Sequence, residues 1–382
     1  MTRVTFVIRR LNRGGAERQL LELLKGLDKA RFEVDAITLY PGGALWEEAC
    51  SVPGVRIQHL GKKGRWHVQV LPTLLRIFRQ TRPDIVHGYM DIANLLALAG
   101  RSVGARVVWG IRASKVDSSV YDRLRRVAIR LESWLSSFPD LIICNSDAAR
   151  SDALARGFPN DRMVVIPNGI DTDRFRGSSA ARSELRAIWG VSANESLIGI
   201  VARLDPMKGH SVFLTAAREV ARLHQQARFA IIGGGRLLPE LTRQAAQLGL
   251  QERLIWAGER NDVPAVLSAL DLSISASLFG EGFSNALAES MACGVPCVAS
   301  NVGDAGRILG DCGWLVPSGD AAALARGICG ALESRMAGKV RGDLLRQRIV
   351  SEFGLERLAR ATESALGSLM TSGSGPAERA PQ

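Results

Sequence analysis

No uninterrupted apolar run in this 382-residue chain approaches the roughly 18 residues that a membrane-spanning helix needs, and the mean hydropathy is close to zero at +0.05. A multi-pass membrane protein is excluded. The opening Met1-Thr-Arg-Val-Thr-Phe-Val-Ile-Arg-Arg has a short apolar run halted by two arginines. It reads as a first β-strand and not as a signal peptide. Aromatic residues make up 5% of the chain, so platforms for stacking bases are scarce, and no nucleic-acid motif accompanies them. The six cysteines, at positions 50, 144, 293, 297, 312 and 329, are scattered. Cys293 and Cys297 are four apart, but no His or second Cys pair completes a metal-site spacing. Packing roles and a reduced, cytoplasmic setting are the reading that remains.

What the chain has in excess is positive charge, +11 overall. Residues 1–176 carry 28 Lys or Arg against 18 Asp or Glu, whereas the remainder carries 21 against 20. The excess therefore sits in the first half. A basic half suits an anionic membrane surface or a phosphorylated substrate once nucleic acid is set aside.

Short apolar runs alternate with helical stretches, the pattern of parallel sheets covered by helices. Candidate strands are Val4–Ile8, Val34–Leu39, Ile57–Leu60, Ile85–His87, Val107–Trp109, Leu141–Cys144 and Val164–Ile166. Helical stretches near 15–27, 68–81, 91–102, 121–137 and 147–156 lie between them. The series restarts with Leu197–Val201, Phe229–Ile232, Leu254–Trp256, Leu272–Ser275, Cys297–Ala299 and Trp314–Val316. Two successive doubly wound units are expected, with a seam near Pro167-Asn-Gly-Ile-Asp-Thr-Asp-Arg-Phe175. Residues 353–370 form a last helical stretch, and the Gly/Ser/Pro-rich tail 372–382 reads as disordered.

The most informative stretch is Glu281-Gly-Phe-Ser-Asn-Ala-Leu-Ala-Glu289. If Ser284 opens a helix, Glu281 stands in the loop before it and Glu289 about one and a half turns inside. The backbone N–H groups of Gly282, Phe283, Ser284 and Asn285 then gather at a helix mouth, which attracts an anion. Carboxylates beside such a mouth hold sugar hydroxyls, so the combination suits a ligand of phosphate and sugar together. In the same unit Arg203 and Lys208 lie five apart just past a strand end, a spacing able to clamp a diphosphate without a metal. Solvated surface cations are the plainer reading of that pair alone. Ile231-Ile-Gly233-Gly234-Gly235 gives backbone room near a nucleotide or is a flexible turn, and Glu259 to Val263 border the base.

In the first unit, Asn12-Arg-Gly14-Gly15 follows a strand, which permits close approach to a phosphate or makes a tight turn. It is not G-x-G-x-x-G, so a nicotinamide cofactor has little support. Asp171-Thr-Asp173 spells D-x-D, a metal-holding motif in some sugar-transfer enzymes, but its place in the connection favours turn and capping roles. Arg123, Arg125, Arg126 and Arg130, with Tyr121 and Trp134, mark a basic amphipathic helix: a solvated face or an interfacial anchor. His87 ends a strand, where a lone histidine is commonly structural.

Together these residues resemble the retaining glycosyltransferase family 4, the group 1 glycosyltransferases of GT-B fold. The likeness runs from Gly14-Gly15 to about residue 360. Its most specific part is Glu281 and Glu289 in E-x7-E, followed by Ser290-Met-Ala-Cys-Gly-Val-Pro-Cys-Val-Ala-Ser300. Arg203, Lys208, Asn145-Ser146 and Pro167-Asn-Gly-Ile-Asp171 support it. The resemblance implies an α/β chain of two facing Rossmann-like, doubly wound domains with an interdomain cleft. Residues 1–175 would be the acceptor domain and 176–360 the nucleotide-sugar domain, with 361–371 ending a C-terminal helix. Arg203 and Lys208 would neutralise the diphosphate leaving group, so no metal or other cofactor is implied. Glu281 would hold donor-sugar hydroxyls, Glu289 the ribose hydroxyls, and Gly15 would let the first domain approach the donor phosphates. Relatives carry further histidines after the strand ending in Val86-His87-Gly-Tyr-Met-Asp-Ile-Ala-Asn-Leu; here an acceptor-side histidine role falls to His87 alone. Arg112, after strand Val107–Trp109, is a second acceptor-side or phosphate-side candidate.

The expected activity is a metal-independent, retaining sugar transfer of the hexosyltransferase type, from a nucleotide sugar to a saccharide acceptor. A lipid-linked acceptor at the inner membrane face is preferred, with contact through Lys62-Lys-Gly-Arg-Trp66 and residues 121–134, and the setting is cytoplasmic or peripheral to that membrane. Two other readings are a nucleotide-sugar epimerase, which also uses two such sheets, and a non-catalytic nucleotide-sugar-binding protein. Intact Arg203, Lys208, Glu281 and Glu289 count against the second.

Overall fold

The computed structural model describes residues 1–62, 64, 69–114 and 123–371. Lys63, Arg65 and Trp66 of the basic segment, Tyr121, the side chains of Arg123 and Arg125, and the tail 372–382 lie outside them. Two compact units are present. Of the described residues, the first holds 1–62, 64, 69–112, 123–169 and 355–371; the second holds 113–114 and 170–354.

In the first unit, seven strands form a parallel sheet: β1 (Thr2–Ile8), β2 (Phe32–Thr38), β3 (Val55–His59), β4 (Ile85–Tyr89), β5 (Arg106–Ile111), β6 (Leu141–Cys144) and β7 (Met163–Val165). Their order is β3-β2-β1-β4-β5-β6-β7. Alternate side chains feed separate cores. Val4, Phe6 and Ile8 join one apolar cluster, and Val7 joins another with Val86, Val107 and Trp109. Burial on both sides explains why these strands read as continuous apolar runs.

The second unit repeats the scheme with β8 (Ser196–Val201), β9 (Ala227–Ile232), β10 (Leu254–Gly258), β11 (Leu272–Ser275), β12 (Cys297–Ser300) and β13 (Trp314–Val316), in the order β10-β9-β8-β11-β12-β13. Leu197 and Ile232 face one core, Ile198, Ile200 and Ile231 the other. In both sheets the order reverses beside the first strand, between β1 and β4 and between β8 and β11. Ligands of open parallel sheets bind beyond the carboxyl ends of the strands at that reversal.

The helix Leu355–Thr371 returns to the first unit, burying Leu358 and Leu366 in the cluster of β1. Its Glu363 accepts hydrogen bonds from the Asp28 backbone N–H at 2.8 Å and from Arg31 at 2.9 Å. Where the first unit ends, the buried Gln19 amide bonds both the N–H and the carbonyl of Gly169 at 2.8 Å. Among the described residues no helix is long and apolar enough to cross a membrane.

Candidate functional site

The reversal in the second sheet places two loops side by side. Residues 202–209 leave β8 and residues 276–284 leave β11, and β8 pairs directly with β11. Asp205 accepts from the Met207 N–H, and Pro206 starts a single 3-10 turn that ends at Lys208. That turn is fixed to the second loop by the Leu278 N–H, which donates to the Met207 carbonyl at 2.7 Å. Gly209 follows with φ +66°, and a Cβ there would lie 1.9 Å from the Ala276 carbonyl oxygen. Only glycine allows the two loops to run this close.

The consequence is that Lys208 and Glu281, 73 positions apart, meet at 2.5 Å. Ser277 donates to the same Glu281 oxygen at 3.2 Å. Both charged side chains are mostly buried, at 20% and 11% exposure. An ion pair so sheltered is far less screened than a surface pair. Arg203, in the same loop, is exposed.

The stretch after Glu281 takes the form expected of it. The helix runs Asn285–Ala292, with Ser284 as its N-cap residue and Glu289 half-buried inside. The Ser284 hydroxyl makes no capping bond. Phe283 turns inward against Phe353, ring centroids 5.3 Å apart, so it offers the site its backbone and not its ring. Gly303, with φ +61°, supports this mouth: a Cβ there would lie 2.4 Å from the Glu281 carbonyl oxygen and 2.5 Å from that of Gly282. Beside it the Asp304 N–H donates to the Gly282 carbonyl at 2.9 Å.

The glycine run beyond β9 has a structural reason. Gly233 (φ +145°) lies against the Ala202 carbonyl and Gly235 (φ +154°) against that of Leu204, while the Leu204 N–H donates to the Gly234 carbonyl. A Cβ on Gly234 would lie 2.5 Å from the Glu259 carboxylate. The run thus borders the Arg203 loop directly. Val263 begins the helix Val263–Ala269 and is half-buried against the core. Neither Gly209, Gly303 nor Ser277 was singled out from sequence. A glycine after a short turn signals positive φ, but its partner across the loop has no sequence signature.

His210, next to this turn, is buried, and burial together with the nearby Lys208 charge lowers its pKa to about 4, against the opposing effects of the Ala202 backbone and the Asp205 charge. Asp171 of the D-x-D string accepts from the Arg174 N–H at 2.9 Å, the turn role expected of it. Among the described residues, no three His, Cys, Asp or Glu side chains gather as they would around a metal.

In the first unit Gly15 opens the helix Gly15–Gly26 and is exposed, with Gly14 as N-cap. His87 lies within β4 and is wholly buried; burial, then the Arg112 charge, holds its pKa well below the ordinary value. Arg112 follows β5, its guanidinium 4.3 Å from the centre of the Tyr89 ring. His87 and Arg112 are therefore neighbours, although they are 25 positions apart.

Residues 13–174 match the family described as Glycosyltransferase Family 4, and residues 195–334 the family described as Glycosyl transferases group 1. The chain is 28% identical over 345 residues to the 2-deoxystreptamine N-acetyl-D-glucosaminyltransferase of Streptomyces fradiae, spanning 82% of this chain and 81% of that one. Over 242 residues, 61% of each chain, it is 27% identical to the UDP-Gal:alpha-D-GlcNAc-diphosphoundecaprenol alpha-1,3-galactosyltransferase of Escherichia coli. The crystal structure of Anabaena HepE in complex with UDP-glucose superposes with a TM-score of 0.84, covering 96% of this chain and 100% of that one. At 22% identity that is a likeness of fold.

Proposed function

Because this chain belongs to the group 1 glycosyltransferases of family 4, built as two Rossmann-like units of the GT-B fold, we propose that it transfers a sugar from a nucleotide-sugar donor to a saccharide acceptor in polysaccharide or glycolipid synthesis, with retention of anomeric configuration and without a metal ion. The observation that carries the reading is the Lys208–Glu281 pair at the strand-order reversal of the second sheet. Lys208 and Arg203 supply positive charge to a departing diphosphate. Glu281, fixed by Lys208 and Ser277, accepts from donor-sugar hydroxyls. The backbone at Gly282, Phe283, Ser284 and Asn285 takes phosphate or sugar oxygens, Glu289 takes the ribose hydroxyls, and Gly234 and Val263 border the base.

In the reaction, the bond from the anomeric carbon to the diphosphate oxygen breaks. The acceptor oxygen bonds that carbon from the same face, and its proton leaves with the diphosphate. The protein's part is positioning and stabilisation of the charge that develops on the leaving group. The family resemblance supports retention, and the two cations support independence from metal.

The acceptor we propose is lipid-linked and reached at the inner membrane face. Its support is the basic first half and the helix Arg123–Trp134, on which Val127, Leu131 and Trp134 are exposed beside exposed Arg126 and Arg130. A thermal-shift screen with UDP-, GDP- and ADP-sugars identifies the donor, since a ligand that binds only the folded chain raises the melting point. Product NMR then reads the anomeric configuration, and turnover is repeated with EDTA. Failure of every donor to be hydrolysed or transferred would defeat the proposal; inversion or abolition by EDTA would defeat its retaining or metal-independent part.

A further inference from the structure

The amino ends of the second sheet border a cavity of their own, on the edge away from the loops of Lys208 and Glu281. It measures about 270 Å³ and lies where β11 and β12 begin, with Ser178, Arg182, Asp271, Gly294 and Arg335 in its wall. Among the described residues, Asp271 is the one carboxylate that lines it.

Three arginines converge on that carboxylate. Asp271 Oδ1 meets Arg182 at 2.6 Å and Arg335 at 2.5 Å, and Oδ2 meets Arg186 and the Leu197 N–H, each at 2.8 Å. Burial alone would raise the Asp271 pKa, but the Leu197 N–H and the Arg335 and Arg182 charges outweigh it and hold the carboxyl below its ordinary value. Asp271 is therefore ionised, and with two donors on each oxygen it is full. Arginine keeps its charge in proteins, so three positive charges face one negative.

The arginines differ in what else they reach. Arg186 is buried and spent, donating also to the carbonyls of Ala269, Ser192 and Glu195. Arg182 donates to the carbonyls of Ala269 and Leu270 at 3.1 and 3.0 Å. Arg335, in the last turn of the helix Ala321–Met336, has no acceptor besides Asp271 among the described residues, and its side chain is 39% exposed. The helix Ser179–Ile188 begins at the same cavity, and its first turn adds partial positive charge. Like charges gathered in this way repel unless a further anion joins them. The surplus of two matches the charge of a phosphate group, and the fork of an arginine matches its oxygens. The volume lies just under the roughly 300–1,000 Å³ of clefts for larger ligands, which favours a small phosphate over a nucleotide.

We propose that the cavity between Arg182 and Arg335 is a second anion site, separate from the site at the carboxyl ends of the strands, and that it takes a small phosphate. That chemistry has two sources, free inorganic phosphate and a small phosphomonoester.

The test uses the full chain. Inorganic phosphate is titrated calorimetrically, at constant ionic strength, into the Lys208→Ala protein, which lacks a cation at the other edge of the sheet. Saturable binding is expected. Adding Arg335→Gln is expected to weaken it about tenfold or more, and Arg335→Lys, which keeps the charge without the fork, to weaken it less. Hydrogen exchange on the unsubstituted chain gives a readout for which no variant has to fold. Phosphate is expected to slow exchange at residues 179–182, the first turn of the helix at the cavity. Absence of saturable binding, unchanged affinity in Arg335→Gln, or unchanged exchange overturns the site. Glycerol 3-phosphate then separates the sources: an affinity about tenfold above that of phosphate assigns a phosphomonoester, and an equal or lower one assigns free phosphate. Malonate binding more tightly than either overturns the assignment to phosphate. None of these measurements depends on sugar transfer, so the failure of either reading leaves the other standing.

Discussion

Removing either Lys208 or Glu281 leaves the other charge sheltered and without its partner, so each substitution reaches both stability and chemistry. Lys208→Ala is expected to cost about 1–3 kcal/mol of stability, the range for stranding a partly buried hydrogen-bonded group. Lys208→Ala and Glu281→Gln are each expected to lower turnover by roughly 10²–10³, the size of effect for a group that stabilises charge or position at the transition state, as proposed for both. Steady-state kinetics beside a urea melt check both; near-parental turnover in either variant would mean the site is misassigned. His210 supplies a pH dependence. Its folded pKa of about 4 lies below the ordinary value of 6.5, so the unfolded chain takes up the proton first. Its contribution is complete above pH 6.5 and is lost as pH falls through the window down to about 4; by pH 5 the loss is about 2 kcal/mol. His87, also lowered, acts in the same direction. The melting point should fall between pH 7.5 and pH 5, and by less in His210→Gln. An equal fall in that variant would remove His210 as the cause.

At the scale of elements, the site is a matter of how closely two loops approach, and Gly209 tests this. Gly209→Ala meets a positive φ, worth about 1–2 kcal/mol, and the Ala276 carbonyl as well. Gly190, with φ +62° and nothing within 4 Å of an added Cβ, isolates the backbone term. Gly209→Ala is expected to destabilise by at least ~1 kcal/mol more than Gly190→Ala in urea unfolding, given that a clash adds to the φ cost, and to lose activity with it. Equal costs would show that the contact relaxes freely. The same comparison marks what sequence can reveal. All thirteen strands among the described residues are legible, to within a residue or two at their ends, because strands buried on both sides leave apolar runs punctuated by turn residues. The Ser284 start of the Glu289 helix was legible too. The Lys208–Glu281 contact was not, since a pairing across 73 positions follows from strand order, and strand order leaves no local mark. Nor was the inward turn of Phe283 onto Phe353, or the choice of the first unit by the last helix. Periodicity reports that a face is apolar without reporting what covers it.

At the scale of the whole molecule, charge and exposed apolar surface coincide on one helix. Val127, Leu131 and Trp134 fall at i, i+4 and i+7 of Arg123–Trp134, which places them along one stripe, and Trp134 is 76% exposed. Phe138, just beyond the helix, is also exposed. Such a stripe inserts shallowly at a lipid interface while neighbouring arginines meet anionic headgroups, each worth about 1 kcal/mol near the surface. The full chain is therefore expected to float with vesicles containing phosphatidylglycerol and to stay at the bottom of the gradient with purely zwitterionic ones. Raising the salt to about 0.5 M should weaken the association, because the Debye length then falls below about 5 Å. Leu131→Glu with Trp134→Glu should abolish flotation and raise the apparent KM for a lipid-linked acceptor, while leaving the KM for the nucleotide sugar within about twofold. That split separates membrane recruitment from damage to the donor site, which would raise the donor KM as well. Equal flotation with zwitterionic and anionic vesicles would sink the electrostatic part of the argument. Flotation that survives the double substitution would move the contact off this helix.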